Sequence, residues 1–338
     1  MNELRNSANA RLLCGATVRR LSPVVSGGRI ASADVVDRDG RSFRVSARIF
    51  VLAAGAVENA RLLLVSEDDA SVAPGNGGDW LGRCFMEHPR DRSLLLHPSD
   101  PGLFARAAFY DAHPGPDGTM IGGRIALKST GSGANRLPNA SVTMLPRLRP
   151  AERRERRLLR EVVGPRVFSG LVRLGLAVEG YRGGYGWSRL PPEAFDAFHL
   201  VVNLEQQAHP DNRLVLGSRR DPFGIPRVEL HWQWRPDDRA AHERLIARLA
   251  ADLESSGLGR IAVLEGMLLD PNGHHHAGTT RMSARPDAGV ADVDCRVHGT
   301  DNLYVTGASV FPVAGYANPV LTIVALVLRL SDHLRARL

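Results

Sequence analysis

Between Arg11 and Ala54, apolar and polar side chains alternate in three runs, Arg11–Leu21, Arg29–Asp37 and Ser42–Ala54, and each predicts a β-strand. Gly27-Gly28 separates the first two. Asp39-Gly40 separates the second and third, and such a pair readily supplies the positive φ of a hairpin turn. The third run ends without alternation, in Ile49-Phe50-Val51-Leu52-Ala53-Ala54. A run apolar on both faces predicts a central strand in a covered, parallel sheet. Gly55 breaks it, and a helix is predicted over Glu58–Val65, giving a strand–glycine–helix unit.

From Ser66 to about Asp270 the pattern is looser. Gly75-Asn76-Gly77-Gly78 reads as a loop, Leu214–Leu216 and Arg227–Trp232 as short strands, and Asp221-Pro222-Phe223-Gly224 as a turn. Helices are predicted over Ala151–Val163, rich in arginine, and over Pro236–Leu253. The second carries Asp237 and Asp238 in its first turn, where the helix dipole favours negative charge. Strands and helices without βα alternation predict an antiparallel α+β domain. Beyond it, Asn302–Thr306 reads as a strand ending at Gly307. Asn318, as N-cap, and Pro319, at the first helical position, open a nearly all-apolar helix to His333. Apolar on every side, that helix is expected to be buried.

At 338 residues the chain has material for about two domains. Its 43% apolar and 23% charged residues are those of a globular protein. The net charge of +7 comes almost wholly from arginine, Lys128 being the sole lysine, and it is diluted by 36 acidic residues. It permits an acidic partner without pointing to one. No nucleic-acid motif is present, and the arginine run Arg153, Arg154, Arg156, Arg157 and Arg160 reads as the solvated face of a helix, where Glu152 can pair with Arg156. The longest apolar stretch, Pro319–Leu328, falls short of the roughly 20 residues of a membrane span. Cys14, Cys84 and Cys295 form no CxxC, which excludes a disulfide framework. With no apolar leader in MNELRNSANA, a cytoplasmic location is expected.

Three stretches carry candidate chemistry. The apolar helix presents unpaired N–H groups at its start, suited to an anionic group. Asn302–Ser309 runs a strand into small residues, so a ligand can approach the backbone. Gly273-His274-His275-His276-Ala277-Gly278-Thr279 offers three histidines, but adjacent side chains diverge and no carboxylate lies at ligand spacing, so no metal is expected. A histidine in such a turn can serve as a general base near neutral pH.

Taken together, His275-His276-Ala277-Gly278-Thr279-Thr280-Arg281-Met282, Asn302–Val305, Gly307–Pro312 and Gly315-Tyr316-Ala317-Asn318-Pro319-Val320-Leu321-Thr322-Ile323 follow in one order. This resembles the C-terminal signature of the glucose–methanol–choline (GMC) flavoprotein oxidoreductases. Val51–Ala56 with Asn59–Leu64, and Leu81-Gly82-Arg83 with Glu87-His88-Pro89, are similar to upstream motifs of the same family. The resemblance implies FAD as cofactor and a CH–OH donor, an alcohol or a sugar hydroxyl, as substrate. It implies His275 as the base that takes the hydroxyl proton while hydride passes to flavin N5, and Asn318 as the second residue on the substrate oxygen. It also implies cofactor contacts at Val18 (adenine), Ala54 and Gly55, at Gly307 and Ala308 (ribityl-diphosphate), and at Asn318, Pro319, Val320 and Thr322. There the start of the last helix would stabilise negative charge on the reduced ring.

The fold expected is α/β plus α+β. Residues 1–88 and 271–338 would form a partial Rossmann-like FAD domain, and residues 89–270 an antiparallel-sheet substrate domain between them. The family's GxGxxG segment, which cradles the diphosphate, does not occur in this sequence. The expected partner is therefore a polypeptide supplying that segment, or a second copy of the chain. The alternative is a non-catalytic subunit or degenerate fragment that binds no flavin alone.

Overall fold

The computed structural model describes residues 7–23, 28–67, 72–127, 137–173, 187–264, 269–270 and 273–338. Lys128, Gly27 and the first six residues lie outside these, as do the side chains of Arg153 and Arg156. β1 (Ala16–Pro23), β2 (Ile30–Asp37) and β3 (Ser42–Val45) form an antiparallel sheet in that order. The Asp39-Gly40 hairpin is present: Gly40 has φ +80° and its N–H donates to the Asp37 carbonyl.

The predicted strand Ser42–Ala54 is two strands in two sheets. Alternation ends with β3, and the apolar run becomes β4 (Phe50–Leu52), which leaves the first sheet and pairs elsewhere. Helix α1 (Gly55–Leu64) follows directly, three residues earlier than its spacing predicts.

The middle of the chain is an antiparallel sheet, as its pattern predicts. β5 (Arg90–Pro98) begins it. β6 (His113–Pro114) and β7 (Met120–Ile121) form a small separate hairpin after the short helix α2 (Leu103–Arg106). β8 (Ile125–Leu127), β9 (Ala140–Leu148) and β10 (Phe195–Leu204) complete its centre. β11 (Arg213–Arg220) and β12 (Pro226–His231) form a hairpin around the Asp221–Gly224 turn. β13 (Gly259–Val263) and β14 (Leu269–Asp270) both pair with β5, so the sheet runs β13-β5-β10-β9-β8, with β14 on the outer side of β5.

Helix α3 (Pro150–Arg173) is broken at Gly164, whose φ of +80° and the following Pro165 end the predicted helix where expected. Helix α4 (Pro236–Ser255) lays Leu245, Ile246, Leu249 and Leu253 on the sheet, at the i, i+4 and i, i+7 spacing of one helical face.

Two large hydrophobic clusters and one small one, around Tyr304 and Leu330, result among the described residues. Of the large two, one gathers Leu94, Leu96, Val142, Phe198, Leu200 and α4. The other joins residues from both chain ends: Leu21, Val35, Leu52 and Leu63 with Val297, Leu303, Val305 and Val310. Its centre is β15 (Leu303–Val305), parallel to β4 with Leu303 opposite Phe50 and Val305 opposite Leu52.

The parallel pairing of β4 is as predicted; its central, covered position is not. Among the described residues β15 is its only ladder neighbour, and Val51 is 43% exposed. The last helix, α5 (Val320–Arg335), departs from expectation in the same way. Ile323, Leu326, Leu330 and Leu334 pack inward, while Val320, Leu321, Val324 and Leu328 stand exposed, Leu321 at 83%. A sequence apolar all round is buried all round only where something covers both faces, and the described chain covers one.

Candidate active site

The carboxyl ends of β4 and β15 lie side by side, the place where ligands approach an open α/β sheet. After β4, Ala54 and Gly55 are exposed, and Gly55 has φ +86°. After β15, Gly307 has φ +102° and leads into a turn at Ala308–Val310. A Cβ on either glycine would meet open space, but both backbones occupy the left-handed region that disfavours side chains.

One buried side chain joins the two turns. The Asn59 carbonyl accepts from Ala54 N–H (2.8 Å), and its amide donates to the Thr306 carbonyl and the Ser309 hydroxyl (3.0 Å each). Asn302 does the same lower down, pairing with both backbone groups of Ile30. Both were legible only as members of motifs, not as bridges.

The histidine turn is clamped against this platform. Met86 and Ala277 exchange two backbone hydrogen bonds (3.0 and 3.1 Å). Gly278 N–H donates to the Ala308 carbonyl (3.2 Å), Thr280 N–H to Ser309 (2.9 Å), and the Thr279 hydroxyl to Ala56 (2.6 Å). Gly278, at φ +91°, has no room for a Cβ, which would lie 2.3 Å from the Cys84 carbonyl.

His275 is half-buried, and its ring meets His88 edge-on at 5.1 Å between centroids. Burial, then Arg90, holds its pKa below the ordinary value, so the ring is neutral at pH 7. His88 is buried and pushed down to about 4, by burial first and then by His275. His276 contacts Glu87, Nε2 to Oε1 2.7 Å, and this hydrogen bond raises its pKa. Burial pushes Glu87 up, but the hydrogen bond from His276 and those from the His275 and His88 N–H groups outweigh it and leave its pKa low. In sequence Glu87 and His88 are members of a motif without a role; their place beside His275, 188 positions away from Glu87, needs the fold.

The other predicted positions are dispersed. Val18 is exposed on β1, beside an irregularity in register between Val18 and Arg20. Asn318 is exposed and is not the N-cap: Pro319, already helical at φ −77° and ψ −11°, takes that position, its carbonyl accepts from Ile323 N–H, and no side chain caps the helix. Proline's fixed φ brings the chain into the helix without help from Asn318. Val320 and Thr322 are exposed. A cleft of about 460 Å³ between the β1–β3 sheet and the β11–β12 hairpin, lined by Arg19, Arg20, Arg44, Arg220 and Asp34, contains none of these residues.

The fold is shared with an FAD-dependent oxidoreductase from Chaetomium thermophilum, at TM-score 0.55 and 15% identity, over 100% of this chain and 63% of that one. Residues 208–326 match the GMC oxidoreductase family model. Among curated relatives, 6'''-hydroxyparomomycin C oxidase of Streptomyces lividus is 26% identical over 98% of this chain and 52% of its own length. The fructose dehydrogenase large subunit of Gluconobacter japonicus is 25% identical over 90% and 50%. The chain thus spans about half the length of the curated relatives it matches.

Proposed function

We propose that the chain forms the C-terminal flavin-domain elements and the substrate domain of an FAD-dependent oxidoreductase that converts an alcohol or sugar hydroxyl to a carbonyl. The observation that carries this is the direct hydrogen bonding of the histidine turn to the Gly307–Val310 turn, which anchors the segment carrying His275 to the turn after β15. The division into residues 1–88 and 271–338 against 89–270 belongs to the same proposal and is supported by the two separate hydrophobic clusters.

The residues present fit such a cofactor. Gly55 and Gly307 leave open space where a side chain would stand, and the Thr306 hydroxyl, at the end of β15, is buried without a hydrogen-bond partner among the described residues. Gly55, Ala54, Gly307 and Ala308 would hold FAD by close backbone approach, with Val18 toward the adenine. Asn318, Pro319, Val320 and Thr322 would present the start of α5. FAD, when bound, supplies the hydride acceptor. His275 takes the substrate's hydroxyl proton on a ring nitrogen, which favours hydride loss because an alkoxide releases hydride more readily than an alcohol. Asn318 would donate to the same oxygen.

The exposed apolar residues of α5 and β4 support completion by a polypeptide carrying the glycine-loop segment, or by a second copy. So does the relative described as a large subunit. No helix among the described residues is long and apolar enough to cross a membrane. A cytoplasmic location is part of this reading, supported by three unpaired cysteines.

The test is rapid mixing of the FAD-loaded assembly with alcohols and sugars. His275→Ala should slow flavin reduction by roughly 10²–10⁴. An unchanged rate rejects the assignment, and a colourless assembly with its partner favours a non-catalytic subunit.

A further inference from the structure

We infer that Glu87 is the positioning residue of the proposed site: its carboxylate fixes the shape of the His274–Gly278 turn through backbone N–H groups and holds His276 in an ion pair beside His275. The role rests on the function proposed above.

Both oxygens of the carboxylate are engaged with the turn or its anchor. Oε2 accepts from His275 N–H and from Glu87's own neighbour, His88 N–H, at 3.2 Å each, while Oε1 meets His276 Nε2 at 2.7 Å. Glu87 is itself held from below, its N–H donating to Gln206 Oε1 (3.0 Å), which also accepts from Trp232 Nε1 (3.0 Å). The approach demands Gly273, where a Cβ would lie 2.7 Å from Glu87 Oε2 and 2.7 Å from the His88 carbonyl.

The turn it holds is not a relaxed one. His274 sits at φ +51°, a conformation costly for a side-chain-bearing residue and retained only where surrounding contacts over-determine it. On one side those contacts are the Met86–Ala277 exchange; on the other they are the Glu87 carboxylate. The groups facing His276 are Glu87 and the Phe85 ring, at 5.2 Å; those facing His275 are His88, Arg90, Glu87 and its neighbours His274 and His276.

Two adjacent histidines are thereby shifted in opposite directions. The hydrogen bond to Glu87 raises the pKa of His276, whereas burial lowers that of His275. A base beside a histidine whose protonated form is favoured by a carboxylate suits the removal of a proton from an alcohol, since positive charge there offsets the negative charge that develops on oxygen. A glutamine at position 87 cannot reproduce this. Its one carbonyl oxygen can accept from the backbone or from His276, and its amide then faces the other donor.

The test has two readouts. Histidine ring titration by NMR on the chain without flavin should show His276 titrating at least about one pH unit lower in Glu87→Gln, with Glu87→Asp between the two. In the FAD-loaded assembly, Glu87→Gln should lower the limiting rate of flavin reduction about 10²-fold with little change in KM, and Glu87→Asp should recover part of it. An unmoved His276 titration overturns the ion pair. Normal rates in Glu87→Gln with a slow His275→Ala overturn the positioning role and leave the proposed function intact. Normal rates in both overturn the two together. Should Glu87→Gln fail to fold, Glu87→Asp carries both measurements.

Discussion

Asn59→Leu removes the amide that joins the turn after β4 to the turn after β15, at similar side-chain volume. Three hydrogen bonds go with it. Ala54 is exposed, so its N–H finds water and loses little. The Thr306 carbonyl and the Ser309 hydroxyl are buried, at 6% and 0% residue exposure, beside an Asn59 that is itself fully buried. At about 1–3 kcal/mol for each buried group left unpaired, the change costs about 3 kcal/mol. That cost falls on the β4–β15 pair, so hydrogen exchange of the amides at 50–54 and 303–306, followed by mass spectrometry, should quicken about 10²-fold. The amides of β9 and β10, in the other cluster, should change little. Asn59→Asp gives a second, signed reading. A carboxylate there faces the Thr306 carbonyl and is disfavoured, so its folded pKa lies above its unfolded one. The variant should be nearer wild type at low pH and lose stability as pH rises through the folded pKa. Exchange within about threefold of wild type in Asn59→Leu would refute the argument that this side chain joins the two chain ends.

His88 offers a pH test. Its folded pKa near 4 lies below 6.5, so on acidification the unfolded chain binds the proton first; stability is full above pH 6.5 and falls between 6.5 and 4 by at most about 3 kcal/mol. Denaturant unfolding at three pH values should show that slope, and its persistence in His88→Gln would count against His88 as the source. Gly278→Ala forces a Cβ to within 2.3 Å of the Cys84 carbonyl at a positive φ, and should cost about 2 kcal/mol or more, read as a lowered Tm. Asp91 and His242 form a buried pair at 2.6 Å between β5 and α4; Asp91→Asn should destabilise by about 3–5 kcal/mol, and a loss under about 1 would show the pair to be dispensable. On the exposed face of α5, Leu321→Glu with Leu328→Lys should shift the chain from associated to monomeric in sedimentation, and an unchanged mass would exclude that face as the contact.

Local pattern determined much of this protein. Alternation and Asp39-Gly40 specify the β1–β3 sheet, because strand period and turn chemistry act over a few residues. Gly164-Pro165 breaks α3 at the place where the predicted helix ends, because proline cannot continue the ladder. The order of His275, Gly307 and Asn318 carries the resemblance to the GMC family, and residues 208–326 match that family's model. The tertiary structure decided the rest. β9 and β10, the heart of the antiparallel sheet, had no distinctive signal, since a short apolar run is equally a strand or a buried helix segment until its neighbours are known. Ser42–Ala54 divided into two strands because β4 found β15, some 250 positions on, and that pairing depends on the whole chain folding back. The apolar pattern of α5 stated how much surface needs covering but not what covers it. Glu87, Asn59 and Asn302 look like ordinary polar residues in sequence. Each acquires its role from partners more than 180 positions distant, and only the folded chain brings those partners within hydrogen-bond reach.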